Sequence, residues 1–480
     1  MAADKYEIVI GLEIHAQLKT ASKIFCNCST KFGSPPNTQV CPVCMGMPGV
    51  LPVLNREVVN MALKIARAIS CEISIHSEFA RKNYFYPDLP KGYQITQYRL
   101  PLAEHGQLIV TGKEREYVIG ITRIHIEEDA GKNFHGEGGG YSLIDFNRCG
   151  IPLVEIVTEP DIRSTAQAAE TMRALRDLLV WLDVCDGNME EGSLRCDANI
   201  SIRPFGILSF GTRTEIKNLN SFRNLQRALE FEAIRHKQII EAGGLIIQET
   251  RLFDPASNAT FSMRSKEEAH DYRYFPEPDL PPLILDKGWV EEIDAFMLEL
   301  PSARRHRFVD SYGLSSYDAS ILTSSIFIAD YFEKVVGAGV SAKSSANWVM
   351  GDVTALLKER NLDFSACPLH PENLAEMISL IENKTISGKI AKELLPEMFL
   401  SNKSVRDLVN EKGLSVISDT ASIQRMVEEI ISANSKQVEQ YRAGKTGVLG
   451  FFVGQIMKKT GGKAEPKIVS DLVKTKLEKS

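Results

Sequence analysis

The segment GLEIHAQL, residues 11–18, carries a carboxylate and an imidazole two positions apart. Apolar residues recur at every second position here, as they do in a β-strand that buries one face. This period places Glu13, His15 and Gln17 together on the opposite face. An oxygen and a nitrogen ligand on one face suit a divalent cation, but a solvated strand end would give the same local pattern, and the segment alone leaves both open.

Two further segments offer ligands of the same kind. In TRIHIEEDAGK, alternation places His125 and Glu127 on one face of a strand, and Glu128 follows directly. Glu155 interrupts the apolar run IPLVEIV, where a carboxylate is costly unless it meets a cation or a hydrogen-bond donor. The candidate site for Mg²⁺ or Mn²⁺ therefore consists of Glu13, His15, Glu127 and Glu155. Their separation along the chain does not show that they converge.

Four of the nine cysteines are grouped as CNC and CPVC, on either side of a loop that contains Gly and Pro. Two close thiolate pairs are typical of a structural zinc site, in which four sulfur ligands leave no open position. The predicted ligands are Cys26, Cys28, Cys41 and Cys44; reduced cysteines without a metal are the alternative. An odd cysteine total argues against a disulfide framework. The isolated cysteines, expected as small buried residues, are Cys71, Cys149, Cys185, Cys196 and Cys367.

Cations and aromatic residues alternate in RKNYFYPDLPKGYQITQY, residues 81–98, and further charges lie on the strand-like segments that follow. Such a mixture can stack on bases and neutralise phosphates, although it can also simply cover a sheet. Few of these charges stand in long solvated runs, so we expect a charged sheet face that lines a cleft. AGKTG near residue 445 is not a Walker A loop, because Glu439 stands where Gly is required; a bound nucleotide must be held in another way.

The elements that would position these residues can be placed coarsely. Residues 6 to about 290 mix strands with helices, and one helix opens with a capping box from Ser164 to Gln167. A second helix is expected from Ser221 to Ala242 and should end at Gly243. Beyond the Pro-rich segment 276–286, amphipathic helices dominate.

Chain length and charge limit the class of protein to which the sequence can belong. A chain of 480 residues is too long for one core, and with 44% hydrophobic and 25% charged residues we expect a multidomain globular protein. No apolar run approaches the ~20 residues of a transmembrane helix, and no signal or transit peptide is evident at the start, so a cytoplasmic location is predicted. The net charge is -6, but residues 441–480 hold nine Lys/Arg and three Asp/Glu, a net of +6. A basic tail of this kind can meet phosphates or can simply be a solvated surface.

Taken in order, several segments closely resemble the B subunits of aspartyl/glutamyl-tRNA(Asn/Gln) amidotransferases. The resemblance spans nearly the whole chain and rests on GLEIHAQLKT, RKNYFYPDLPKGYQITQY, ITRIHIEEDAGK, DFNRCGIPLVEIVTEPDIRS, EEGSLRCDANISIRP, EIKNLNSF, DYRYFPEPDLPPL, NWVMGDV and GFFVGQIMK.

The resemblance implies an α+β fold: a cradle-like catalytic domain with a mixed or antiparallel sheet, similar to glutamine synthetase, then an all-α helical domain and an all-α tail that helps to hold tRNA. We place these domains at residues 1–293, 294–404 and 405–480. It also implies a carbon–nitrogen ligase with glutamine as amido-N-donor. ATP phosphorylates the side-chain carboxylate of Glu on tRNA(Gln) or Asp on tRNA(Asn), and ammonia displaces the phosphate.

Carried over by position, the family's metal ligands correspond to Glu13, His15, Glu127 and Glu155, which favours the metal over the solvated strand. Lys82, Lys91 and Glu128 match positions that line the ammonia route. The CxC and CxxC pairs match zinc-bearing members, so zinc is expected to be structural. The candidates for binding the ATP cofactor are Arg81, Arg195, Asn199, Arg203 and Lys217.

The sequence contains no Gly/Ser-rich amidase loop with a catalytic Lys and Ser pair. The resemblance therefore implies two partners in a heterotrimer: an amidase, the A subunit, which releases ammonia from glutamine, and the small C subunit. The alternative is a zinc-stabilised tRNA-binding scaffold whose partner does all the chemistry; it would leave the carboxylate–imidazole set without a role. A third alternative is a ligase that acts on a free amino acid. It would leave the basic tail without a role.

Overall fold

The computed structural model describes residues 5–112, 115–135, 141–265, 269–401, 403–414, 420–442, 444–460 and 466–479. The chain divides into two compact units, Met1–Ser302 and Ala303–Ser480. The first combines strands and helices, and the described part of the second is helical. The predicted α+β class is therefore confirmed, whereas the similarity to glutamine synthetase stays a prediction.

The first unit contains sixteen described strands and four α-helices. The strands are β1 Tyr6–Gln17, β2 Glu72–Ile73, β3 His76–Ser77, β4 Ala80–Asn83, β5 Tyr93–Thr96, β6 Ala103–Thr111, β7 Glu116–Glu128, β8 Lys132–His135, β9 Ser142–Asp145, β10 Pro152–Thr158, β11 Leu194–Pro204, β12 Thr214–Lys217, β13 Glu249–Asp254, β14 Ala259–Ser265, β15 Phe275–Pro276 and β16 Leu283–Ile284. The helices are α1 Arg56–Ala68, α2 Thr165–Trp181, α3 Phe222–Glu241 and α4 Lys287–Ala295, and a short 3-10 helix spans Ala269–Tyr272.

Nine strands form one sheet in the order β14-β13-β12-β11-β1-β10-β7-β6-β2. All neighbours pair antiparallel except β12 and β13, which are parallel. β1 and β10, the strands predicted to carry His15 and Glu155, are neighbours near the centre, and β7 with Glu127 lies next to β10. Smaller sheets are formed by β15-β4-β5, β16-β3 and β8-β9.

The two faces of the large sheet differ in polarity. Ile10, Leu12 and Ile14 of β1 are fully or almost fully buried, in one hydrophobic core with residues of α1, α2 and α3. The alternate residues of the same strand, Glu13, His15 and Gln17, point to the other face. On the helix-covered face they would disrupt the core. Helix packing on one side therefore decides which side presents the polar residues.

The helix starts and ends agree closely with the sequence signals. Ser164 is the N-cap of α2, and its hydroxyl accepts a hydrogen bond from the backbone N–H of Gln167 at 3.1 Å. The Gln167 side chain returns the contact one residue earlier than in a standard capping box, by accepting from the N–H of Arg163 at 2.9 Å. Ser221 caps α3 in the same way, and Gly243 follows its end with a positive φ of 77°.

The described part of the second unit is built from helices, the first of which begins two residues before the boundary between the units. They are α5 Pro301–Tyr312, α6 Ser316–Leu322, α7 Ile326–Gly337, α8 Ala342–Trp348, α9 Thr354–Glu359, α10 Pro371–Glu382, α11 Gly388–Ser401, α12 Val405–Lys412, α13 Thr420–Ala433, α14 Ser435–Arg442, α15 Val448–Lys459 and α16 Pro466–Lys479, with a π-helical turn at Val349–Val353 and a 3-10 turn at Phe364–Ala366. α12 contacts α10 and α11, whereas α13 to α16 share a separate hydrophobic core. The three-domain division at 293/294 and 404/405 stays a prediction.

Among the described residues, no helix has both the length and the apolar character needed to cross a bilayer.

A buried carboxylate ties α3 to the edge of the large sheet. The Glu232 side chain is fully buried and lies 2.7 Å from Arg235 and 3.2 Å from Arg251 of β13. It also accepts a hydrogen bond from Thr260 of β14. Burial would raise the pKa of Glu232. Hydrogen bonds from His236, Arg235 and Thr260, together with the charge of Arg235, lower this pKa to about 2. Glu232 is therefore ionised in the folded protein at neutral pH.

We predict that Glu232→Gln destabilises the first unit and flattens its pH dependence. A pKa lowered from 4.5 to about 2 adds stability that is fully present above pH 4.5 and is lost as the pH falls towards 2. The contribution is on the order of 3 kcal/mol. Thermal unfolding midpoints from pH 7 to pH 3.5 would measure it, with the exposed Glu241→Gln of the same helix as control. Parallel pH curves for wild type and Glu232→Gln would contradict this prediction.

Candidate functional site

Four strands of the large sheet bring ionisable residues into one row. His125 of β7 lies directly opposite Glu155 of β10, Glu155 lies opposite His15 of β1, and His15 lies opposite Arg195 of β11. Side chains that are directly opposite on neighbouring strands have Cβ atoms about 4.5–5.5 Å apart. The strand register therefore places two imidazoles, a carboxylate and a guanidinium side by side.

Glu127, two residues after His125 on β7, completes a compact cluster with this row. His15 Nε2 lies 3.4 Å from Glu127 Oε1 and 3.4 Å from Glu155 Oε2. One ligand atom from each of His15, Glu127 and Glu155 lies within 4.8 Å of the other two. The exposed fractions of these side chains are 22%, 5% and 14%. We call these three residues the carboxylate–imidazole cluster; the sequence predicted all three.

The cluster holds its charges against the cost of burial. Burial alone would lower the pKa of His15, but Glu155 and Glu127 raise it to about 9. Burial would likewise raise the pKa of Glu155, but His125 and His15 hold it well below its ordinary value. Two buried carboxylates thus need positive charge beside them. The protonated imidazoles can supply it, and a divalent cation with two oxygen ligands and one nitrogen ligand would fit the same place.

His125 belongs to this site and was missing from the predicted ligands. Its side chain is 4% exposed, and its Nε2 lies 2.9 Å from Glu155 Oε2. Its Nδ1 is buried and has no hydrogen-bond partner among the residues that the structure describes. The signal was present in the sequence, because alternation in IHIEE puts His125 on the face of Glu127. His125 is placed to orient Glu155.

Glu13, the fourth predicted ligand, lies on the same face of β1 but outside the cluster. Its Oε1 accepts a hydrogen bond from Asn199 Nδ2 at 2.8 Å. Both residues line a cavity of about 540 Å³. Gln17, two residues beyond His15 on β1, lines a second cavity of about 510 Å³ together with Arg195. The face therefore offers space at both sides of His15.

The cations predicted to bind a nucleotide are paired with carboxylates. Arg81 lies 2.8 Å from Glu277 and 3.0 Å from Asp279, and Arg203 lies 2.6 Å from Glu7. Within the cleft, Lys217 lies 2.6 Å from Asp197 and 3.0 Å from Glu215, and Arg195 lies 3.0 Å from Asp129.

Two of the predicted nucleotide-binding residues keep an unused polar atom. Arg195 Nε and Asn199 Oδ1 are buried and lack a hydrogen-bond partner within the described part of the chain. Unsatisfied buried polar atoms are rare in folded proteins because each carries a desolvation cost. Arg195 lines one cavity and Asn199 the other, so each residue lies beside a space that can hold a ligand.

Lys82, Lys91 and Glu128 lie around strands β4, β5 and β7. Lys91 Nζ donates to Glu128, whose Oε1 also accepts from the backbone N–H of Ile95 at 2.8 Å. Glu127 accepts a hydrogen bond from Thr96 Oγ1 at 3.2 Å. Lys82 Nζ lies 4.7 Å from the ring centroid of Tyr272. The structure therefore pairs Lys91 with Glu128 and places Lys82 over an aromatic ring.

The four grouped cysteines converge as the sequence predicts. One sulfur from each of Cys26, Cys28, Cys41 and Cys44 lies within 4.8 Å of the others. A hydrogen bond from Cys26 lowers the pKa of Cys44 to about 5, against the effect of burial, and the backbone N–H of Cys41 acts in the same direction. Four sulfurs at this separation can hold a metal ion, and zinc is the metal such a set favours.

A buried lysine lies beside these sulfurs. The Lys23 side chain is fully buried, and its Nζ donates to Gln39 O at 2.8 Å and lies 3.8 Å from Cys44 Sγ. Its positive charge offsets part of the negative charge that thiolates carry when they bind a metal. The loop is thus electrostatically prepared for a thiolate cluster.

Comparison with known proteins finds matches to both parts of the chain. Residues 8–291 match the family described as the GatB/GatE catalytic domain, and residues 330–477 match the GatB domain. The chain is 56% identical over 475 residues to the B subunit of the aspartyl/glutamyl-tRNA(Asn/Gln) amidotransferase of Moorella thermoacetica, covering 98% of this chain and 100% of that protein. The identically named proteins of Geobacter sulfurreducens and Thermodesulfovibrio yellowstonii are 55% and 54% identical, with coverage of 98% of this chain and of 99% and 98% of those proteins.

Glu155→Gln should weaken the binding of Mn²⁺, the spectroscopic substitute for Mg²⁺, by at least about tenfold, because it removes a charged ligand from a partly buried site. Electron paramagnetic resonance titration of free Mn²⁺ would measure this effect. Glu72→Gln, an exposed change in the same sheet, serves as control and should leave the affinity unchanged. Equal affinities of Glu155→Gln and wild type would remove Glu155 from the metal site.

The four-cysteine loop should carry about one zinc ion per chain. In Cys44→Ser most of this zinc should be lost and the unfolding temperature should fall, since the metal supplies much of the free energy that folds such a loop. Atomic absorption and calorimetry would measure both quantities. Cys367→Ser, the same change at an isolated cysteine, is the control. Unchanged zinc content in Cys44→Ser would contradict the prediction.

Proposed function

Because the chain belongs to the GatB/GatE family, and the relatives compared above are B subunits of aspartyl/glutamyl-tRNA(Asn/Gln) amidotransferases, we propose that it is the B subunit of a tRNA-dependent amidotransferase. Such an enzyme is a carbon–nitrogen ligase that takes its amide nitrogen from glutamine. The observation that carries the proposal is the carboxylate–imidazole cluster, which lies between two cavities on the polar face of the sheet.

In the proposed reaction, the substrate is Glu carried by tRNA(Gln) or Asp carried by tRNA(Asn). Its side-chain carboxylate is a poor acyl donor, so an oxygen of that carboxylate first attacks the γ-phosphorus of ATP, which releases ADP and leaves an acyl phosphate. Ammonia then attacks the carbonyl carbon. The bond from that carbon to the phosphate oxygen breaks, and the products are the amide on tRNA and inorganic phosphate.

The chain's own residues have distinct tasks in this scheme. His15, Glu127 and Glu155, with Glu13 as a proposed fourth ligand, would hold Mg²⁺ or Mn²⁺, which supplies positive charge to the phosphates and the substrate carboxylate. His125 keeps Glu155 in place through a contact of 2.9 Å. Arg195 and Asn199, each of which lines a cavity beside the cluster, would contact ATP. Arg81, Arg203 and Lys217 would support that site through their carboxylate partners.

Lys91 and Glu128 would line the route by which ammonia reaches the acyl phosphate. The pair is nearly excluded from solvent, with side chains 7% and 2% exposed, so it can limit the access of water to a reactive intermediate. Lys82, over Tyr272, would lie along the same route. Zinc bound by the four cysteines would have a structural role and would take no part in the chemistry.

The ammonia would come from an amidase, the A subunit, and the small C subunit would complete a heterotrimer in the cytoplasm. The helices α13 to α16 would contact the tRNA backbone. Their core is independent of the preceding helices, and some of their lysines are paired within the bundle, Lys459 with Glu429 and Lys476 with Glu428. Other basic residues of these helices would meet phosphates without selecting a sequence.

The decisive test is ATP cleavage by the assembled heterotrimer, with and without Glu-tRNA(Gln). Wild type should cleave ATP only when the charged tRNA is present. Glu127→Gln should lower this cleavage by about 100-fold or more, because it removes charge from the site of phosphoryl transfer. Glutaminase activity and tRNA binding should persist.

Glu116→Gln is the matched control, since Glu116 lies on the same strand but is exposed at its far end. It should cleave ATP as wild type does. If Glu127→Gln retained wild-type cleavage, the phosphorylation step would have to be assigned to another chain of the heterotrimer, and this chain would be the tRNA-binding scaffold.

A further inference from the structure

The four-cysteine loop lies against the Lys91–Glu128 pair. Between them lies a small cavity of about 80 Å³. The loop lines it with Cys26, Cys44 and Gly46, and the pair lines it with Lys91 and Glu128. The loop therefore lies next to residues outside its own metal site.

Gly46 is the point of closest approach. It has a positive φ of 63°, and an ideal Cβ built on it would overlap Lys91 Cγ while lying 3.2 Å from Lys91 Cβ and 3.3 Å from Lys91 Cα. No side chain therefore fits between the loop and the stem of Lys91. Gly49, in the same loop, has a φ of 89°, but a Cβ built there would meet nothing within 4 Å.

The backbone at Gly46 is fixed by the second cysteine pair. Met45 N donates to Cys41 O at 3.1 Å, Gly46 N donates to Val43 O at 3.0 Å, and Met47 N donates to Pro42 O at 2.9 Å. These bonds form the tight turn that brings Cys41 and Cys44 together. Gly46 is thus part of the same hydrogen-bonded turn as the two sulfurs, so a ligand that fixes this turn limits the movement of Gly46.

The charged end of Lys91 is held separately from its stem. Its Nζ donates to Glu128 and lies 5.3 Å from the ring centroid of Tyr93. Lysine has many rotamers and loses much conformational entropy when ordered, so a fixed backbone against Cβ and Cγ narrows its choice. Glu128 is in turn the sequence neighbour of Glu127, whose side chain belongs to the carboxylate–imidazole cluster.

We propose that the four-cysteine loop is a positioning element for the Lys91–Glu128 pair, and that Gly46 is the residue through which it acts. The functional part of this inference rests on the proposed role of Lys91 in the ammonia route. In this proposal the loop does more than stabilise its own fold. It holds Lys91 and Glu128 in place along the ammonia route, while Glu127 faces the phosphorylation site.

The test compares Gly46→Ala with Gly49→Ala in the assembled heterotrimer. Both changes introduce a Cβ at a positive φ in the same loop, so they share the backbone strain, and only the first meets Lys91. We expect both variants to retain zinc. Gly46→Ala should lower the amount of amide formed per ATP cleaved, with glutamine as nitrogen donor, at least tenfold below Gly49→Ala. Equal ratios in the two variants would overturn the proposal.

Lys91→Ala provides a rescue that a merely structural effect would not give. It removes Cγ, the atom that the new side chain overlaps, so Gly46→Ala should lower the unfolding temperature less in the Lys91→Ala background than in wild type. The amide-to-ATP ratio of the double variant should also equal that of Lys91→Ala alone. Independent, additive effects on unfolding temperature would overturn the contact.

Failure of the proposed function can be told apart from failure of this inference. If Lys91→Ala forms amide at the wild-type ratio, the role of Lys91 in the ammonia route is wrong. The rate at which Lys91 is chemically acetylated, followed by mass spectrometry, then tests whether the loop positions Lys91. Acetylation at least several-fold faster in Gly46→Ala than in Gly49→Ala would support it, and equal rates would overturn it.

Discussion

The antiparallel register of β7, β10, β1 and β11 is the constraint on which the rest of this site depends. It sets His125, Glu155, His15 and Arg195 opposite one another. A shift by one residue in any of these strands would turn its polar residues into the core and its apolar residues out of it. The helices that pack on Ile10, Leu12 and Ile14 exclude such a shift, because it would bury a carboxylate or an imidazole among hydrocarbon. Core packing on one face therefore specifies chemistry on the other.

The end of β7 shows how two adjacent carboxylates acquire different environments. Glu127 faces the carboxylate–imidazole cluster and accepts a hydrogen bond from Thr96, whereas Glu128 accepts from Lys91 and from the backbone of Ile95. The strand period alone separates them onto opposite sides. Because Glu127 and Glu128 are consecutive residues of β7, a displacement of the Lys91–Glu128 pair would also move the backbone of Glu127. The four-cysteine loop and the cluster are thus connected through Lys91, Glu128 and the backbone of β7.

The sequence predicted what depends on local pattern. The cap at Ser164, the helix that starts near Ser221, the strand that carries Glu13 and His15, and the grouping of the four cysteines follow from periods and spacings, and the structure confirms them. It could not give the order of the nine strands, since pairing between segments more than 100 residues apart leaves no local trace. For the same reason the place of His125 beside Glu155, and the carboxylate partners of Arg81, could be found only from the fold.

Charge balance explains why a cation is expected at the centre of this face. In the proposed reaction, an anionic nucleotide and an anionic side chain approach Glu127 and Glu155, and four negative groups cannot lie close together without compensating positive charge. The fixed cations nearby do not provide it freely, because Arg195 is paired with Asp129 and Lys217 with Asp197 and Glu215. These two cations face three carboxylates, so the pairs supply no net positive charge. Positive charge to offset the substrates must therefore enter at the carboxylate–imidazole cluster, either as protons on its imidazoles or, with ligands suited to it, as a divalent ion.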